Sequence, residues 1–257
     1  MLMKFSFKIT VNYIISVFSI LAILFTGNIL SANESSETKV DKSGDYVIII
    51  HGLTRHKFSM LEYKTKFEKL GYKAHIVDYD GIKYPIGKIY NIVNKQIHNI
   101  VKDANKKVHF VGSSLGAILI RMVLEFNPPK NIGRVVQISP PNQGCEFADN
   151  IVGSNYADES FGPSIYQLVS GKNGIHNILP PIKDYELGVI AGDKNSGESW
   201  IFDIDGDDDG VVSIEKTKVN GMKEHYIIHD THKKITDNKE TIEKTIKFIT
   251  EGTFYGF

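Results

Sequence analysis

The segment Val111-Gly112-Ser113-Ser114-Leu115-Gly116 reads G-x-S-x-G, and it falls between an apolar run and a longer amphipathic stretch. In that setting the pattern presents a nucleophile. A tight strand-to-helix turn forces the central serine into a strained backbone conformation, and its hydroxyl points out of the sheet at a helix N-terminus. Glycines two residues on either side are needed because a Cβ there would meet neighbouring backbone. Ser114 satisfies the spacing; Ser113 does not, since its glycines fall one before and three after. No lysine follows Gly116, so the residues of a phosphate-binding loop are missing.

A serine hydroxyl is a weak nucleophile and needs a base, which in turn needs an orienting acid. On this kind of turn the order along the chain is Ser, then Asp or Glu, then His, with each partner after a late strand. The downstream histidines are His176, His225, His229 and His232. His225 opens the last strand. His229 and His232 share the loop after it, and His232, further along and just before the final helix, is the preferred base. The acid should follow the fifth strand, where Asp193 and the run Asp203-Ile-Asp205-Gly-Asp207-Asp208-Asp209-Gly210 compete. Asp209 is preferred because Val211-Val212 gives its turn an apolar anchor; Asp208 and Asp193 stay as alternatives.

The same run has a second reading. Asp205-x-Asp207-x-Asp209-Gly210 matches the opening of a calcium loop, but Lys216 stands where a bidentate glutamate is required, so an EF-hand is not expected. A looser calcium site on Asp203, Asp205 and Asp207 competes with a solvated acidic loop, and otherwise no cofactor is expected. For the oxyanion, Ile50-His51-Gly52-Leu53 follows the first strand. Gly52 lets the chain turn so that the Leu53 N–H faces Ser114, and with the Leu115 N–H this makes a two-donor hole. His51 is read as a buttress of that loop.

Elements able to position these residues alternate along the chain. Strands are expected at Tyr46–Ile50, Ala74–Asp78, Lys107–Val111, Arg134–Ile138, Leu187–Ala191 and His225–Ile228. Helices are expected at Ser59–Leu70, Ile86–Val101, Leu115–Phe126 and Thr241–Ile249. That alternation predicts a mainly parallel sheet of about six strands with helices on both faces. The segment 140–184, rich in Gly, Asn and Pro, is too long an irregular insert to be idle. Its Phe147, Ile151, Tyr156, Phe161, Ile165, Tyr166, Leu168, Ile178 and Leu179 could line an acyl pocket or fill ordinary core, and the sequence favours neither.

Residues 1–32 have the layout of a secretory signal peptide: Lys4 and Lys8, the apolar Tyr13–Phe25, and a small-residue exit at Ser31-Ala32. Leu30 spoils that exit, and Ile9–Asn33 carries no charge, so an uncleaved membrane anchor is the rival. Residues 33–44 read as a polar linker and 45–257 as one α/β domain, with an exported or membrane-anchored location.

Composition limits the rest. The 257 residues are 42% hydrophobic and 23% charged, with 30 basic against 30 acidic side chains. The resulting neutrality argues against nucleic acid as partner. Without residues 1–32 the balance becomes 28 against 30, a net charge of −2. Cys145 is the sole cysteine, which excludes an internal disulfide.

Taken together the chain resembles the lipase-like α/β-hydrolases, in particular small bacterial lipases and esterases related to triacylglycerol lipases. The likeness runs from about Tyr46 to Phe254. It rests on His51-Gly-Leu53 with Arg55 and Ser59-Met60, Gly112–Gly116, Val135–Gly144, Leu187–Gly192, Asp208–Ser213, and Gly221–His225 preceding His232. It implies an α/β-hydrolase fold in minimal form, with Ser114 as nucleophile, Asp209 as acid, His232 as base, and the Leu53 and Leu115 amides as oxyanion hole. Two positions depart: Cys145 stands where serine is common, and Lys233-Lys234 follow His232 where apolar residues are more usual.

The expected activity is hydrolysis of carboxylic esters of a lipid or small acyl compound, met in solution or at a membrane surface. Acyl transfer, amide or thioester cleavage would use the same triad, and a non-catalytic exported binding protein is the alternative from another class. Nothing in the sequence sets the oligomeric state.

Overall fold

A computed structural model describes residues 44–195 and 204–256. The signal-peptide or anchor segment, nearly all of the linker, and Asp203 lie outside the described residues. Among those described, no helix is long and apolar enough to cross a membrane.

Six strands form one sheet: β1 (Tyr46–Ile50), β2 (Lys73–Val77), β3 (Val108–Ser113), β4 (Ile132–Ile138), β5 (Leu187–Gly192) and β6 (Glu224–Ile228). Every pairing is parallel, in the order β2-β1-β3-β4-β5-β6. Parallel strands need crossovers, and helices supply them: α1 (Leu61–Lys69), α2 (Ile86–Ile100), α3 (Leu115–Phe126) and, closing the chain, α7 (Lys239–Glu251). Three short helices lie between β4 and β6: α4 (Glu146–Ile151), α5 (Asn155–Phe161) and α6 (Ile214–Thr217).

Alternation along β1 shows how the layers are held. Val47 and Ile49 join a cluster with Met60, Tyr63 and Phe67 on the α1 side and Ile242, Phe248 and Ile249 of α7. Ile48 and Ile50 point the other way, to Ile86, Ile89 and Val93 of α2 and Ile118 and Leu119 of α3. All of β1 is buried. A run such as Val-Ile-Ile-Ile therefore stabilises both layers, at roughly 2 kcal/mol for each fully buried side chain.

The chain winds outward from β1 to β2 and then returns to place β3 on the other side of β1. The strand order reverses at β1, and α/β sheets bind their ligands outside the C-terminal strand ends at such a point. Leu53 and Ser114 lie on the loops leaving the ends of β1 and β3.

Element boundaries moved by a residue or two from the sequence reading. Ser59 to Leu70 splits into a 3-10 turn, Lys57–Met60, and α1. The final helix begins two residues before Thr241, because the Asn238 side chain caps it by accepting from the Glu240 N–H. In the insert, Ile151, Ile165, Leu168 and Leu179 are buried and Phe147, Phe161 and Tyr166 pack half-buried against them, so most of its apolar surface is core. Tyr156 and Ile178 remain exposed, at 55% and 58%.

Candidate active site

Ser114 stands between the last residue of β3 and the first of α3, at φ 52° and ψ −121°. A non-glycine residue there costs about 1–3 kcal/mol. The turn is held because the Ser114 N–H donates to the Ile138 carbonyl of β4 at 2.9 Å, and the Ala117 N–H donates to the Ser114 carbonyl at 3.0 Å. The two glycines do what the pattern demanded. A Cβ on Gly112 would lie 2.8 Å from the Ala117 backbone, and one on Gly116 would strike the carbonyl oxygens of Ile50 and His51. The helix start can thus press against the end of β1.

His232 and Asp209 meet the serine in one line. His232 Nε2 lies 3.1 Å from Ser114 Oγ, and His232 Nδ1 lies 2.8 Å from Asp209 Oδ2. The Asp209 side chain is fully buried. Its other oxygen, Oδ1, accepts from the Val211 and Val212 N–H groups at 3.1 and 2.9 Å, which fixes the carboxylate plane. The His232 N–H donates to the Asp209 carbonyl at 2.8 Å, so the two loops are bonded through backbone as well as side chain. Gly192, ending β5, makes room for this approach: a Cβ there would sit 2.8 Å from the Asp209 Cβ.

The competing candidates are engaged elsewhere. His229, 74% exposed, pairs with Asp193 at 2.8 Å, so the rival base and rival acid bind each other at the surface. His225 Nε2 meets Thr217 Oγ1 at 2.8 Å. Asp208 Oδ1 accepts the Gly210 N–H at 2.6 Å. Asp205 and Asp207 are exposed, and Asp203, the third residue of the looser calcium reading, lies outside the described residues.

On the opposite wall, a Cβ on Gly52 would stand 3.3 Å from the Ser114 Cβ, which places the Gly52-Leu53 turn directly against the nucleophile. His51 beneath it is fully buried, with Nδ1 2.8 Å from the Gly52 carbonyl and its ring stacked on Tyr79 at 4.4 Å. Burial pushes the His51 pKa down. The Tyr79 hydroxyl donates to the His51 carbonyl at 2.7 Å. Beyond Leu53 a crevice of about 740 Å³ opens between the loops after β1 and β2, with Arg55, Tyr79, Gly81 and Ile82 among its walls.

Several supports were not legible in the sequence. The Cys145 thiol donates to the Val211 carbonyl at 3.2 Å, and burial raises its pKa to about 12. That bond is one a serine hydroxyl could also make. Glu146 accepts from the Ser213 hydroxyl at 2.5 Å and from its N–H at 3.2 Å, tying the insert to the Asp209 loop. On the base side, Ser113 Oγ lies 3.0 Å from Thr236 Oγ1. The only sequence signal for these contacts was the polar character of residues flanking the elbow and the acid run.

Known proteins give the same architecture. The fold matches the lipase BlEst2 of Bacillus licheniformis in its propeptide form, with a TM-score of 0.69 and 18% identity over 82% of this chain. The match spans about half, 51%, of that protein's chain. The mature form of the same lipase matches with a TM-score of 0.66 and 16% identity, covering 82% of this chain and 94% of that one. The metagenomic carboxyl esterase MGS0156 matches with a TM-score of 0.58 and 14% identity, covering 76% and 67%. Identities this low show a shared fold, the α/β-hydrolase fold. No curated protein matches the sequence at a significant level. The sequence model of the family described as palmitoyl protein thioesterase matches residues 46–175, just over half of the 257, from β1 through the elbow and most of the insert. The chain therefore belongs to the palmitoyl protein thioesterase family, a lipase-like branch of the α/β-hydrolases.

Proposed function

We propose that this protein is a serine hydrolase that cleaves acyl esters, thioesters included, through an acyl-enzyme. The observation that carries the proposal is the unbroken line from Asp209 through His232 to Ser114. Ser114 Oγ attacks the acyl carbonyl while His232 Nε2 takes its proton. Asp209 keeps the imidazole in the tautomer with its proton on Nδ1 and stabilises the imidazolium that forms. The Leu53 and Leu115 amides receive the oxyanion, each worth about 3 kcal/mol in the transition state. His232 then protonates the leaving group, and the same imidazole activates the water that releases the acid. These steps use only groups of the chain itself.

Family membership favours an S-acyl substrate. The crevice beyond Leu53 is of the size that small-molecule sites have, about 300–1,000 Å³. Residues 1–32 support action outside the cytoplasm, after cleavage or on an anchor.

The test is labelling by a fluorophosphonate probe, followed by a panel of acyl p-nitrophenyl esters and matched acyl thioesters of increasing chain length, with and without calcium. Labelling of the wild type, its loss in Ser114→Ala, and turnover of the panel are expected. Failure of the wild type to label or turn over any member would leave a binding protein on a hydrolase scaffold.

A further inference from the structure

Arg55 lies three residues past Gly52 on the loop after β1, and its side chain is only 24% exposed. One guanidinium nitrogen donates to the Lys233 carbonyl, and the other donates to Asp237 Oδ2 at 3.0 Å. Lys233 directly follows His232, and Asp237 ends the short 3-10 turn Ile235–Asp237. One side chain thus grips the base-bearing segment beside the imidazole and again at its far end. The loop that does the gripping is the one that carries Leu53.

Other contacts hold the same segment: His232 itself is bonded to Asp209 through its N–H and Nδ1, Ile235 is buried in the core, and at Thr236 the carbonyl accepts from the Tyr63 hydroxyl at 2.8 Å while the hydroxyl meets Ser113. The two at Thr236 fix the floor of the segment four residues beyond His232. The Asp237 carboxylate is 57% exposed, so that ion pair adds little by itself. The bond to the Lys233 carbonyl acts next to the base and ties it to the Leu53 loop, as the Asp209 bonds do not, and a planar fork that serves two acceptors at once is a property of arginine that lysine lacks.

We propose that Arg55 is a positioning residue for the base: it locks the His232 segment to the Leu53 loop so that imidazole and oxyanion donors keep one fixed spacing about Ser114. This rests on the Ser114–His232–Asp209 reading above. The Arg55 guanidinium bonds to Lys233 and Asp237, and it acts through the peptide that follows His232.

The experiment measures kcat, KM and thermal midpoint for Arg55→Ala and Arg55→Lys with a p-nitrophenyl ester, with and without added methylguanidinium. Misplacement of a base by a fraction of an ångström to an ångström lowers kcat about 10–100-fold. Arg55→Ala should lose that much in kcat with KM changed less than about threefold, and methylguanidinium should restore part of the loss. Arg55→Lys, which keeps the charge without the fork, should remain well below wild type and carries the test if the alanine variant does not fold. Because Arg55 also lines the crevice beside Leu53, a rise in KM at unchanged kcat would make it a substrate contact and overturn the proposal. An undiminished kcat in a wild-type background that labels with fluorophosphonate overturns it alone. A wild type that does not label overturns it together with the triad.

Discussion

Replacing Asp209 by asparagine changes one oxygen to nitrogen inside a closed set of hydrogen bonds, and the structure decides which one. Oδ1 accepts from two backbone N–H groups, those of Val211 and Val212, whereas Oδ2 faces His232 Nδ1. If the new NH₂ faced the two amides, donors would oppose donors, at a cost of about 1–3 kcal/mol for each group left unpaired. The amide will therefore keep its oxygen on the backbone and turn its NH₂ to the imidazole. His232 Nδ1 must then accept, which moves the ring proton to Nε2, the nitrogen 3.1 Å from Ser114 Oγ. A base already carrying a proton there cannot take another from the serine. The loss expected in kcat is about 10⁴-fold, equivalent to about 5.5 kcal/mol of barrier. Stability should change by less than about 1 kcal/mol, because every buried group keeps a partner. The assay is kcat on a p-nitrophenyl ester across the neutral to alkaline range, with urea unfolding alongside. Asp193→Asn serves as the comparison: Asp193 pairs with the exposed His229, so its loss should be within about twofold. Activity of Asp209→Asn within a factor of ten of wild type, or a larger loss in Asp193→Asn, would show that the acid had been misassigned.

Gly116→Ala should lower unfolding free energy by 3 kcal/mol or more, about the cost of a severe core clash, since its Cβ would strike two backbone oxygens of the β1 end; urea denaturation reads it. Cys145→Ser should keep kcat within about twofold, and iodoacetamide should not inactivate the wild type, because a buried thiol with pKa raised to about 12 has almost no thiolate. His109 gives a pH dependence of stability. Burial lowers its folded pKa from 6.5 to about 4, so the unfolded chain binds the extra proton first. Stability from this group is therefore complete above pH 6.5 and falls as pH drops toward 4, by up to about 3 kcal/mol. His109→Gln, which can still accept the Arg134 N–H that His109 Nδ1 accepts at 2.9 Å, should flatten that part of the urea-midpoint profile.

The strands, the crossover helices and the elbow were legible in the sequence because they depend on local patterns. A five-residue apolar run is buried on both faces wherever it lies, and Gly112 and Gly116 were required by a turn whose geometry is set within a few residues. Chain order narrowed the acid and base to a few aspartates and two neighbouring histidines. The choice among them belonged to the tertiary structure. Asp193 and His229 leave the adjacent strands β5 and β6 directly and meet at the surface. Asp209 and His232, further along the two loops, are folded back over the sheet, where Gly192 gives them room. The insert was ambiguous for the same reason: an apolar residue in an aperiodic segment carries no record of whether core or substrate will cover it. A hydrogen bond between side chains 118 residues apart, as between Ser114 and His232, exists only once β3 and β6 have taken their places in one sheet, and no local pattern encodes that distance.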